Sequence, residues 1–131
     1  ALKWLQLSQV PSVLMLHLKR FRSTGRRVNK LDEHVPFPAV LDLSPFTCAP
    51  GKAATHYEQL GEIMAGTSQA SSSMRLYGVV EHVGTFSGGH YIAYVKLEGR
   101  WYRMSDSVVR EVSEAEVLGK QAFMLFYERE G

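Results

Sequence analysis

The sequence predicts a β-rich α+β domain built mainly from antiparallel strands. Short apolar or alternating runs recur along the chain, and glycine, proline and small polar residues separate them. Only one strong helix-start signal stands among them. With 131 residues, 45% of them apolar, the chain can bury a core of its own.

Residues 2–7, "LKWLQL", alternate apolar and polar as a half-buried strand does, and Val10-Pro11 ends the run. "SVLMLHLKRF" (12–21) is almost continuously apolar before it ends in charge, which reads as a central strand buried on both faces. His17 inside it reads as a packed core residue. "RSTGRRVNKLDEH" is a turn followed by a short strand, and the three prolines of "VPFPAVLDLSPF" (35–46) suit an irregular edge segment. Residues 47–73 are rich in Ala, Gly and Ser. They read as a flexible insertion with one short helix near His56 to Met64.

In the second half, "MRLYGVVEHV" (74–83) is a strand and "GTFSGG" (84–89) a glycine-rich loop. Strands at 90–97 and 100–104 join through Glu98-Gly99, and "SVVREV" (107–112) is extended. Ser113 with Glu116 three residues on resembles a capping box opening a helix over 114–120. "AFMLFYER" (122–129) is a final buried strand.

Composition narrows the function. Net charge is +2, and the one dense basic stretch, Lys19-Arg20-Phe21-Arg22 with Arg26-Arg27, reads as a solvated face, so no nucleic-acid partner is expected. No run approaches the roughly 18 apolar residues of a membrane span, and no leader pattern is read, so no membrane partner is expected. The single cysteine, Cys48, leaves neither an internal disulfide framework nor a multi-cysteine zinc site, and fits a reducing, intracellular setting. Ala1 opens directly on a strand-like run, as a piece of a longer chain would.

The chemistry concentrates in "HYIAYVKLEGRWYRMSDS", residues 90–107. A hairpin turning at Glu98-Gly99 pairs Leu97 with Arg100, Val95 with Tyr102 and Ala93 with Met104, and sets His90 opposite Ser107. His90 then shares a face with Ser105 and Ser107, while Asp106 points away. Ser105 is the diagonal neighbour within reach of the ring. One β-bulge would exchange Ser105 and Asp106, so register alone leaves both open. A histidine whose Nδ1–H is held by an oxygen presents Nε2 as a base, two-thirds of a nucleophilic triad. Polar side chains also gather at hairpin ends for solvation alone. Gly88-Gly89 before the strand favours the catalytic reading, because glycines let another backbone approach closely.

"PSVLMLHLKRF", "YGVVEHVGTFSGGHYIAYVK", "WYRMSDSVV" and "AFMLFYER", in this order, resemble the C-terminal half of the catalytic domain of ubiquitin-specific proteases. These are papain-like cysteine peptidases that remove ubiquitin from proteins. The resemblance runs from Ala1 to about Arg129 apart from 47–73. It implies the antiparallel palm-and-fingers sheet of that fold, ubiquitin and ubiquitinated proteins as partners, and a cytoplasmic or nuclear setting. The histidine of the family's Gly-His-Tyr block falls on His90, the general base. The third triad position falls on Ser105, as in the subgroup with serine there, and the family's second aspartate on Asp106. A serine hydroxyl can hold the imidazole but adds no negative charge. The stretch His82 to Gly89 matches the loop that closes over ubiquitin's C-terminal tail, so His82, Gly88, Gly89 and Tyr91 are expected around the tail.

The family's nucleophile sits in an N-terminal "G-x-x-N-x-G-N-x-C" block with the oxyanion donors, and nothing here resembles it. Cys48, in a proline-flanked loop with no helix N-terminus to lower its pKa, does not replace it. No metal or cofactor is expected in this chain, because the family's zinc-binding cysteine pairs lie largely upstream. The expectation is an incomplete enzyme that needs the N-terminal half of the catalytic domain. The other reading is a ubiquitin-binding scaffold without turnover.

Overall fold

The computed structural model describes residues 5–48 and 71–130. Among the described residues nine strands form two sheets: β1 (Val13–His17), β2 (Phe21–Thr24), β3 (Arg27–Lys30), β4 (Val40–Asp42), β5 (Ser73–Thr85), β6 (Gly88–Leu97), β7 (Arg100–Ser105), β8 (Val108–Val112) and β9 (Ala122–Arg129). A 3-10 turn spans Ser44–Phe46, and the helix α1 (Glu114–Leu118) lies between β8 and β9.

The large sheet runs β1-β9-β5-β6-β7-β8, every neighbouring pair antiparallel. Its centre is β5, thirteen residues long, which pairs with β9 along one side and with β4 and then β6 along the other. One face buries Val79, Tyr94, Trp101, Val112, Leu125 and Tyr127, with Val117 of α1 closing over it. Ser113 caps that helix by accepting from the Glu116 amide at 3.1 Å, as the Ser-x-x-Glu pattern predicts. The rest of the N-terminal region forms the β2–β3 hairpin, turned at Gly25-Arg26, which the sequence predicts as one strand only.

Five expectations need correction. "SVLMLHLKRF" is not a central strand: β1 pairs only with β9 among the described residues, and Val13 and Met15 face outward. Leu14 and Leu16 are half-buried while Val13, Met15 and His17 are exposed, so His17 touches Phe123 from the surface and is not a packed core residue. "LKWLQL" does not form a strand where it is described; Leu7 makes one isolated parallel bridge to Thr47. "GTFSGG" is no open loop, because β5 and β6 pair as far as Thr85 with Gly88 and leave only Phe86-Ser87 as the turn. Finally, the basic stretch is not all solvated. Arg20 is buried; its Nε donates to the Ala122 carbonyl at 2.7 Å, and its Nη1 to those of Leu31 and Glu33 at 2.8 and 2.7 Å. The helix read near His56 to Met64, and most of the insertion, lie outside the described residues.

Candidate active site

The turn between β6 and β7 sets the geometry. Glu98 (φ 50°) and Gly99 (φ 78°) both take positive φ, the type I′ arrangement whose twist matches its strands. The ladder then follows as predicted, with Leu97 opposite Arg100, Val95 opposite Tyr102 and Ala93 opposite Met104. Beyond its end, His90 Nε2 and Ser105 Oγ lie 2.8 Å apart, the diagonal contact that the register implies. The ring is exposed and Ser105 is half-buried.

The remaining polar residues of the cluster fall elsewhere. Asp106 (φ 51°) and Ser107 make the turn into β8, where Ser105 pairs with Val108. Ser107 is therefore not a strand partner of His90. The Asp106 carboxylate is exposed and makes no hydrogen bond to His90 among the described residues. The ring nitrogen turned to the serine is Nε2, not Nδ1 as expected. In this orientation Nδ1 makes no hydrogen bond among the described residues. Either nitrogen of a neutral imidazole can be the base, provided the other carries the proton.

Behind His90, on the opposite face of β5 and β6, stands a second small core. His82 pairs with Tyr91 across the ladder, and the rings meet edge to face at 4.9 Å. A bulge opposite Val80 and Glu81 turns Phe123 to the same side. It packs with His82, Tyr91, Phe21 and His17, and Phe21 also meets Phe86. Of the four residues expected around a peptide tail, Tyr91 remains 56% exposed and Gly88 is open to solvent. Gly89 touches His82, and His82 is only 6% exposed, so its ring faces inward. Burial, and then the nearby Lys30 ammonium, hold the His82 imidazole below its ordinary pKa, so it is the neutral form that packs there.

The sequence reasoning missed the two cations that pin this region, Arg20 and Lys30. The one available signal was their position at the end of an apolar run and of a short strand, where a solvated charge looks the same. Cys48 contacts the N-terminal stretch, its amide bonded to the Leu7 carbonyl at 2.8 Å and its Sγ near Gln6. Among the described residues no cluster of His, Cys, Asp and Glu could hold a metal ion, and no helix is long and apolar enough to cross a membrane.

A strand-dominated antiparallel sheet of this kind is found in catalytic domains of papain-like fold. The family model described as "Ubiquitin carboxyl-terminal hydrolase" matches residues 4–127, and the chain belongs to that family. It is 38% identical over 156 residues to ubiquitin carboxyl-terminal hydrolase 45 of Mus musculus, covering 98% of this chain and 18% of that protein. With ubiquitin carboxyl-terminal hydrolase 8 of Saccharomyces cerevisiae it shares 38% over 129 residues, covering 97% of this chain and 26% of the other. Among solved structures, the SAGA Ubp8/Sgf11/Sus1/Sgf73 DUB module bound to ubiquitin aldehyde superposes with a TM-score of 0.75 at 34% identity, over 92% of this chain and 25% of that one. The chain thus spans about a fifth to a quarter of the length of these relatives, and the region matched is the C-terminal part of the catalytic domain.

Proposed function

We propose that this chain supplies the general base of a thiol-dependent deubiquitinating hydrolase. The observation that carries the reading is the 2.8 Å contact between His90 Nε2 and Ser105 Oγ, made across neighbouring strands at the glycine-rich end of β6. Held by Ser105, the imidazole takes the proton of a cysteine thiol through its other nitrogen. The thiolate attacks the carbonyl carbon of ubiquitin's terminal glycine, forming a C–S bond and an oxyanion. Collapse breaks the C–N bond, and the imidazolium returns the proton to the leaving amine. Water then hydrolyses the thioester with the same base.

Gly88, Gly89 and Tyr91 receive the extended tail, the glycines by letting its backbone approach and Tyr91 by flanking it with an exposed ring. Asp106 acts on the imidazolium only through the solvent-screened field of an exposed carboxylate. Cys48 sits against Leu7 and Gln6, so the nucleophile comes from the segment that carries the family's cysteine block.

Hydrolysis of a ubiquitin–fluorophore C-terminal amide tests this reading. The chain alone gives no turnover, and adding an N-terminal segment with the cysteine block restores it. In the restored enzyme His90→Ala loses about 10²–10⁴-fold, the range of a general acid–base group, and Ser105→Ala loses less. Near wild-type rates for His90→Ala would overturn the assignment. Ubiquitin binding with no turnover under any combination would mark a scaffold.

A further inference from the structure

His90 is exposed, and its strand begins with two glycines, which offer no side chains to anchor it. Something else fixes where the ring stands. Lys30, at the end of β3, has a side chain only 9% exposed, and its ammonium has three hydrogens to place. It finds three acceptors: the His82 carbonyl at 2.6 Å, the Gly84 carbonyl at 3.2 Å and the Asp32 carboxylate at 3.3 Å. Asp32 is itself tied to the stretch just before β9, its backbone carbonyl accepting from the Gln121 side-chain amide. The two backbone carbonyls flank Val83, the residue paired with His90. The cation therefore grips β5 on either side of His90's partner.

The His82 ring completes the grip from β5 to β6. It lies so close over Gly89, the residue before His90, that any Cβ there would overlap Nε2. Phe21, Tyr91 and Phe123 hold the ring in place. Carbonyls of β5, the ring on β5, and the backbone of β6 thus form one continuous contact from Lys30 to His90.

We infer that Lys30 and His82 are positioning residues for His90, clamping the β5–β6 end so that the imidazole meets Ser105. The inference rests on the reading of His90 as the base only for its consequence in catalysis. The geometric part stands by itself.

Side-chain ¹⁵N NMR of His90 in this chain separates the two. Ser105→Ala gives the spectrum of a ring released from its partner. Lys30→Met moves the His90 nitrogens toward that spectrum, and Lys30→Arg, which can still donate to several acceptors, moves them back. Val117→Ala, placed in the main core away from this end, destabilises the chain yet leaves the His90 signals where they are. Should Lys30→Met not fold, His82→Ala, which removes the ring lying over Gly89, replaces it and likewise moves the His90 nitrogens toward the released spectrum. His90 signals untouched by Lys30→Met or by His82→Ala, or equally moved by Val117→Ala, overturn the clamp. In the enzyme completed with its nucleophile, Lys30→Met lowers kcat about tenfold with KM unchanged. If the intact pair turns nothing over, the reading of His90 as a base fails while the NMR result still judges the clamp.

Discussion

At its Leu97 end β6 turns into β7 through Glu98-Gly99; at its Gly88 end it emerges from β5 through Phe86-Ser87, and the two ends are held by different means. The first is specified by its own residues. Turn chemistry fixes the register, Tyr94 and Trp101 are buried on the core face, and Trp101 Nε1 donates to Glu114 Oε2 at 3.2 Å. At the second end Gly84, Gly88 and Gly89 offer no side chains, and Phe86 of the turn is 64% exposed. Order there is imported from β3, β9 and β2, through Lys30, Phe123 and Phe21. The base thus stands on the end that depends on distant parts of the chain, which makes its geometry sensitive to changes far from it.

The largest effect is expected at the self-specified end. Trp101→Ala removes a large buried side chain from the main core, together with its hydrogen bond. It should cost about 3–5 kcal/mol in denaturant unfolding. The loss should be global, because Trp101 packs where β7 and β8 meet α1. A cost under about 1 kcal/mol would show that this end is not the anchor of the sheet.

Legibility from sequence follows the same division. The β6–β7 register, the cap at Ser113 and the buried run of β9 each depend on neighbours close in sequence or on a strong apolar pattern, so each was readable. His90 and Ser105 could be brought together for that reason, although Asp106 could be set aside only by the turn that holds it outward. The β5–β6 end was misread as a loop because glycine is a turn signal when seen locally. Here the glycines are strand residues that make room for His82 and for one another. Lys30 and Arg20 were unreadable for a related reason. Whether a cation meets water or a set of carbonyls is decided by segments that come together only in the fold. Likewise β1 carries apolar residues on both faces, and no sequence pattern shows which neighbour lies alongside it.

At the other end the critical residue is Gly84. Its φ of +104° lies where side chains are strained, and a Cβ there would stand 2.6 Å from the Gly88 backbone oxygen. Gly84→Ala should therefore cost about 1–3 kcal/mol from strain alone. Its signature differs from that of Trp101→Ala: hydrogen-exchange protection should fall first around residues 82–90, while the β6–β7 amides stay protected. Equal loss of protection at both ends would mean that they open as one unit, and the distinction drawn between them would not stand.

The smallest effect belongs to the turn that already works. Glu98 occupies the left-handed region at φ 50°, where a Cβ crowds the following carbonyl and costs roughly 1–2 kcal/mol. Its carboxylate makes no ion pair among the described residues, so little is lost with it. Asparagine tolerates that region, and Asn-Gly is the favoured type I′ pair. Glu98→Asn should raise stability by about 0.5–1 kcal/mol, seen as a higher urea midpoint with an unchanged slope. Glu98→Gly should gain less, because glycine relieves the same crowding but loses more chain entropy on folding. If asparagine gave no gain, Glu98 would not be strained, and the turn would owe its register to the core beneath it. Since this turn lies at the far end of β6 from His90, a gain here should leave the His90–Ser105 contact unaltered; a shift in the His90 signals would show that the two ends are coupled through the strand.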